Sequence, residues 1–238
     1  MKAVEDLKVK IFADGADMAS MIHLYHQPHI KGLTTNPTLM RKAGITDYRM
    51  FCREVLQIVK DKPISFEVFS DDPESMEVQA LEISSWGSNV FVKIPVSNSK
   101  GIPCYDLIQK LTKQSVKVNV TAIMDPEQIR HVAMSLTPGC ESFVSVFAGR
   151  IADTGRDPLP ILLDALKFLD HLPECQLIWA SPRELLNIFQ ADQIGVHVIT
   201  VTNDILNKLS LVGKNLMEYS LETVAMFYND AQKAGFRL

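Results

Sequence analysis

The 238-residue sequence is short of the features that mark secreted, membrane or nucleic-acid-binding proteins. It has four cysteines, Cys52, Cys104, Cys140 and Cys175, scattered and never in a CxxC pair. That spacing excludes a disulfide framework or zinc ribbon and fits reduced thiols in a cytoplasmic protein. No run reaches the ~18 consecutive apolar residues of a membrane span, so no membrane partner is expected. The opening MKAVEDLKVKIFADGAD carries acids early and no long apolar stretch. It reads as neither a signal peptide nor a transit peptide. There is no basic excess either: the net charge is −4, and the lysines and arginines form no patch or stripe. A nucleic-acid partner is therefore not expected. No linker, low-complexity tract or short-period repeat divides the chain, so one domain over 1–238 is expected. An apolar share of 47% with 22% charged residues supplies an ordinary globular core.

What is present is alternation. Apolar, β-branched runs stand at 10–13, 32–35, 64–69, 89–96, 116–123, 142–147, 176–180 and 196–201. Such runs read as buried parallel strands. Between them lie stretches of helical spacing, at 48–59, 73–84, 105–112, 127–136, 160–169 and 183–189. Asp72-Pro73, Asp125-Pro126, Asp157-Pro158 and Ser181-Pro182 each read as a helix cap followed by proline in the first turn. Strand, cap and helix repeated eight times is the pattern of a (β/α)8 TIM barrel. A doubly wound open sheet is the alternative, and eight strands in so short a chain favour closure. An additional C-terminal helix is expected at about 219–235.

The strands carry polar residues where apolar ones would suffice. NVFVKIPV places Lys93 in a run that should be buried, although lysine is among the residues least often buried. One reading is a core lysine neutralised by a carboxylate or reaching the barrel rim. The other is a catalytic amine, because desolvation favours the neutral nucleophile that attacks a carbonyl to form a Schiff base. Glu67 lies in the third strand. Asn119 and Thr121 share one face of the fifth, and Ser145 lies in the sixth. The first strand runs into Asp14 and the second into Thr34-Thr35-Asn36-Pro37; Arg150 follows the sixth, and Ser181 and Arg183 the seventh. Polar groups on most strands of one barrel need either a ring of partners or a polar ligand. That weighs toward catalysis.

The motifs FADGAD (12–17), GLTTNPTL (32–39), VFVKIPV (90–96), NVTAI (119–123), VFAGRIAD (146–153) and WASPRE (179–184) occur in this order. In them the chain resembles the transaldolase family, including its short members and the related fructose-6-phosphate aldolases. The resemblance implies that Lys93 forms a Schiff base with the C2 carbonyl of a ketose phosphate, fructose 6-phosphate or sedoheptulose 7-phosphate, and that Asp14 takes the C4 hydroxyl proton. Glu67 and Thr121 would hold a proton-shuttling water. Thr34, Asn36, Asn119 and Ser145 would contact the sugar and the intermediate, with Phe147 beside it. Arg150, Ser181 and Arg183 would bind phosphate. It implies no cofactor and no metal, since the iminium is itself the electron sink. It also implies a cytoplasmic enzyme of carbohydrate metabolism, of the pentose phosphate type, in a ring-like homo-oligomer, a pentamer or decamer, whose C-terminal helix packs on a neighbour.

Within the family, Glu67 and Phe147 match transaldolases, where the aldolases have glutamine and tyrosine. The alternatives are aldol cleavage of the fructose-6-phosphate aldolase type, a deoxyribose-phosphate-type aldolase, and a non-catalytic sugar-phosphate-binding barrel. Two departures stand out: Gly15 follows Asp14 where threonine is common, and Pro182 follows Ser181 where an aromatic is usual. Bland roles compete at several positions: Glu67 as a plain counter-ion, Arg150 paired with Asp153, Arg183 as an exposed first-turn residue, Asn36 as a turn residue. In HLYHQPH (23–29) the first two histidines could share a helix face, but Pro28 breaks the helix before His29, so no zinc site is expected.

Overall fold

The computed structural model describes residues 2–237. Eight parallel strands, β1 (Lys10–Asp14), β2 (Ile30–Thr34), β3 (Ile64–Glu67), β4 (Val90–Pro95), β5 (Val118–Ile123), β6 (Ser142–Val146), β7 (Cys175–Trp179) and β8 (Val198–Thr202), pair in chain order. They close when β1 pairs with β8. The helices are α1 (Met18–Tyr25), α2 (Pro37–Lys42), α3 (Tyr48–Ile58), α4 (Pro73–Ser84), α5 (Tyr105–Lys113), α6 (Pro126–Ser135), α7 (Ala148–Ala152), α8 (Leu159–Leu169), α9 (Leu186–Ile194), α10 (Asn203–Leu206) and α11 (Leu216–Ala234). This is the (β/α)8 barrel with a C-terminal helix, and the open sheet is excluded by the β1–β8 ladder.

The capping chemistry works mostly as its residues dictate. The Asp72 carboxylate accepts the Ser75 N–H at 2.8 Å, and Asp125 forms a capping box with Gln128; each such cap is worth about 1 kcal/mol. Asp157 accepts the Leu159 N–H at 3.0 Å. Ser181-Pro182 is the exception. No helix starts there; Ser181 adopts φ +60° and α9 begins only at Leu186. The Asn187 side-chain oxygen Oδ1 accepts the N–H groups of Arg183 and Glu184 instead, so this helix start is capped from inside the helix. The short α1, α2, α7 and α10 have too few turns for a clear apolar period. α11 starts before the expected 219, where Asn215 accepts the Met217 N–H.

Alternate strand residues face opposite sides of the barrel wall. The outward set, including Ile11, Leu33, Phe66, Val92, Val120, Val144 and Leu177, packs under the helices as the main core. The inward set begins with an aromatic plug of Phe12, Phe91 and Phe143, joined by Ile178, Ala180 and Val198. Phe12 meets Phe143 edge-on at 5.5 Å, and Phe91 lies 4.3 Å from it. Gly32 makes that plug fit, because a Cβ there would lie 2.6 Å from the Phe12 ring. The plug closes the N-terminal end of the barrel above a depression of about 600 Å³. Above the plug the inward positions turn polar.

Candidate active site

The polar residues gather at the C-terminal ends of the strands, the end where barrel enzymes carry their sites. Strand register brings Glu67 beside Lys93 and Lys93 beside Asn119. Lys93 is only 8% exposed. Its ammonium donates to the Thr35 carbonyl at 2.5 Å and to Glu67 Oε1 at 3.2 Å. The buried lysine thus has a carboxylate partner, as one sequence reading requires, yet it also lies at the mouth of the barrel beside Asp14.

Glu67 is fixed from two sides. The Thr35 hydroxyl donates to its Oε2 at 2.9 Å, and the Tyr48 hydroxyl donates to its backbone carbonyl at 2.8 Å. A carboxylate held in this way keeps its geometry while a proton or water moves past it. Asp14 accepts from the Thr34 hydroxyl at 2.8 Å and from the Asn36 amide at 3.1 Å. Burial pushes the Asp14 carboxyl above its ordinary range; the positive charge of Lys93 opposes this without cancelling it. A carboxylate of raised pKa is suited to take and return a proton near neutrality.

The expected residues divide by what their side chains already do. Asn36 caps α2, its oxygen accepting the Leu39 N–H at 2.9 Å while its amide reaches Asp14. It is therefore both a turn residue and a site residue. Thr34 is buried and its hydroxyl is taken up by Asp14 and Thr200. Asn119 donates to the Ser65 hydroxyl at 3.0 Å and accepts from Ser145 at 2.7 Å, so these three form a buried chain beside Lys93. Thr121 differs: its hydroxyl oxygen is buried with no partner. β5 is irregular here, with Ala122 at φ +63° and a register shift between Val120 and Ile123. Non-glycine residues in such a conformation cost roughly 1–3 kcal/mol and cluster at functional sites. Phe147 is half-buried against the inner aromatic cluster.

Of the three residues expected at a phosphate, Arg150 lies in α7, and Ser181 and Arg183 lie in the loop between β7 and α9. Arg183 forms a fork on Asp153, with Nε to Oδ1 at 2.9 Å and Nη2 to Oδ2, while its Nη1 donates to the Ser181 hydroxyl at 3.0 Å. The partner of Asp153 is thus Arg183, not Arg150; among the described residues Arg150 makes no ion pair. The loops approach this closely because of Gly149. A Cβ at that position would lie 1.6 Å from the Ser181 carbonyl oxygen. His23 and Gln27 are a weak pair at the far end of α1, remote in sequence from these loops.

Sequence reasoning missed Thr35, Tyr48, Ser65, Thr200 and Gly149. Thr35 and Gly149 lie inside quoted motifs, and Thr200 alternates with Val198 on an inward face, so each left a signal. Tyr48 on α3 left none.

The family model described as Transaldolase/Fructose-6-phosphate aldolase matches residues 11–238. A "Probable transaldolase" of Dehalococcoides mccartyi is 33% identical over 202 residues, covering 84% of this chain and 90% of that protein. Another of Thermoanaerobacter is 32% identical over 231 residues, 97% of this chain and 100% of that one. Among solved structures, dihydrodipicolinate synthase from Rhodopseudomonas palustris superposes with a TM-score of 0.57 at 14% identity, over 97% of this chain and 81% of that chain. A 2,3-dimethylmalate lyase gives 0.55 at 11%, over 98% and 86%. At those identities the structural likeness concerns the barrel alone.

Proposed function

The chain belongs to the transaldolase/fructose-6-phosphate aldolase family, and we propose that it transfers a dihydroxyacetone unit from a ketose phosphate to an aldose phosphate through a Schiff base on Lys93. The observation that carries this reading is the convergence of Lys93, Glu67 and Asp14 at one barrel mouth, with the lysine buried and the aspartate carboxyl raised above its ordinary range by burial.

The steps follow from those groups. Lys93 hands its ammonium proton to Glu67, 3.2 Å away, and attacks the C2 carbonyl of fructose 6-phosphate or sedoheptulose 7-phosphate; the carbinolamine takes that proton on its hydroxyl and loses water to give an iminium ion. Asp14 accepts the C4 hydroxyl proton as the C3–C4 bond breaks. The aldehyde phosphate leaves, and the electron pair rests in a dihydroxyacetone enamine on Lys93. The enamine carbon then attacks the acceptor aldehyde, Asp14 returns its proton to the new hydroxyl, and water hydrolyses the imine. Glu67 and the unpartnered Thr121 hydroxyl flank the place for the water that enters and leaves. Asn36 contacts the substrate hydroxyls from its seat on Asp14. Arg150, Ser181 and Arg183 receive the phosphate, since arginine forks suit its geometry. Phe147 supports transfer over simple cleavage, because a phenyl ring cannot orient a water to protonate the enamine.

The C-terminal helix supports a homo-oligomer. α11 has no buried residue, and Leu221, Val224, Phe227 and Tyr228 are exposed along it. Such a surface calls for a cover, and a second copy of the chain supplies it in this reading. No helix among the described residues is long and apolar enough to cross a membrane; action on sugar phosphates in the cytoplasm is part of the same proposal.

The test is to mix the protein with fructose 6-phosphate, reduce with borohydride and map the adduct by mass spectrometry. A dihydroxyacetone-sized adduct on Lys93 is expected. Its absence from folded protein would overturn the reading. In a separate, unreduced sample, adding an aldose phosphate separates transfer, which yields a new ketose phosphate, from cleavage, which yields free dihydroxyacetone.

A further inference from the structure

We infer that Asp153 sets the charge of the anion-binding end of this site, and so limits how strongly phosphorylated sugars are preferred over unphosphorylated ones. The inference rests on the transaldolase reading above, because it concerns the same substrates.

The geometry gives Asp153 two effects. A guanidinium has five N–H donors. In Arg183 two are engaged by the Asp153 carboxylate and one by the Ser181 hydroxyl. The two that remain are on Nη1 and Nη2, the pair a phosphate needs for a fork. The carboxylate therefore holds the guanidinium by one edge and leaves its end free. It also takes away charge. Arg150 and Arg183 bring two positive charges to these loops and Asp153 removes one. The hydrogen bonds from Arg183, helped by the charges of Arg183 and Arg150, hold the Asp153 carboxyl below its ordinary range.

A phosphate ester carries about −1.5 to −2 charges near neutral pH. It meets a net charge of one rather than two. An uncharged sugar hydroxyl is barely affected by the difference. Gly149 makes the arrangement available, since any side chain there would drive the Ser181 loop, and Arg183 with it, away from α7. The pair is exposed, with about half of each side chain accessible. The effect is therefore moderate and sensitive to salt.

Asp153→Asn is the informative change, because the amide oxygen still accepts one of the two Arg183 N–H groups of the fork while the charge is gone. Inorganic phosphate would be titrated into wild type, D153N, R183Q and the double variant, followed by the phosphorus NMR line width, at low salt and about pH 8, where phosphate is a dianion. D153N is expected to bind phosphate about three- to tenfold more tightly. The gain should shrink at about 0.5 M salt and should persist in D153N/R183Q relative to R183Q, because Asp153 also offsets the charge of Arg150. Binding by D153N equal to or weaker than wild type would overturn the inference, and so would a gain that high salt leaves unchanged. In steady-state kinetics the KM for fructose 6-phosphate should fall relative to that for unphosphorylated fructose; an unchanged ratio counts against it. Failure to trap Lys93 would sink the transaldolase reading and leave the phosphate titration to decide the role of Asp153.

Discussion

The pair of Lys93 and Glu67 makes a sharp prediction when its two members are removed singly and together. Their charges are 3.2 Å apart, with side-chain exposures of 10% and 7%. At the effective dielectric of about 20 that describes such sites, the attraction is about 5 kcal/mol. Desolvating each ion costs several kcal/mol, so the net worth of the pair is small. Breaking it is another matter, because the partner left behind has lost its solvent and its counter-charge. Lys93→Met leaves Glu67 with only the hydroxyls of Thr35 and Tyr48; Glu67→Gln leaves the ammonium with the Thr35 carbonyl and an amide oxygen. Each single variant is expected to lose about 3 kcal/mol, at the low end of the range for broken buried pairs, since polar neighbours remain. The double variant should lose much less than the sum, giving a coupling energy of about 2 kcal/mol or more. Urea unfolding of the four proteins measures this directly. Losses that add within about 0.5 kcal/mol would refute the reasoning, and would mean that the two charges do not feel each other.

Three further outcomes follow from the same geometry. Asp14→Asn should cut turnover on the order of 10²–10⁴-fold. Because burial raises the Asp14 pKa, the native state binds this proton more tightly than the unfolded chain. Ionising it therefore costs stability as pH rises from the unfolded value of 3.8 through the folded one. The variant should accordingly melt higher than wild type at neutral pH and show no such advantage in acid; the reverse trend would contradict the assignment of burial as the dominant cause. Gly149→Ala places a methyl 1.6 Å from the Ser181 carbonyl oxygen, so the phosphate loop must move. Misplacement by about 1 Å costs up to 10²-fold in rate, and a variant with wild-type kinetics would show that the loop position is immaterial. Removing the chain from Leu216 onward takes away a helix with no buried residue. Sizing should show a smaller assembly whose barrel melts within a few degrees of wild type; an unchanged oligomer refutes the helix-mediated contact.

The identities of the proposed catalytic groups and the alternation of elements belonged to the sequence. Strand runs, Asp-Pro caps and inward polar residues are written locally, in neighbours two to four positions apart, and local interactions act the same way wherever the segment ends up. Lys93, Glu67 and Asp14 could therefore be named as a set before any distance was known, and the resemblance assigned them roles. The tertiary structure decided everything that depends on which strands become neighbours. The shortest hydrogen bond of Lys93 goes to a backbone carbonyl, which every residue has, so no residue type announces Thr35. Tyr48 reaches Glu67 from a helix whose sequence pattern speaks only of burial. Asp153 chose Arg183, 30 residues on, over Arg150, three residues before it, because Gly149 lets two loops meet. Gly32 is small because a ring from the adjacent strand fills its place. Barrel closure fixes register, register fixes which side chains share a layer, and those contacts are long-range in sequence, beyond the reach of any local pattern.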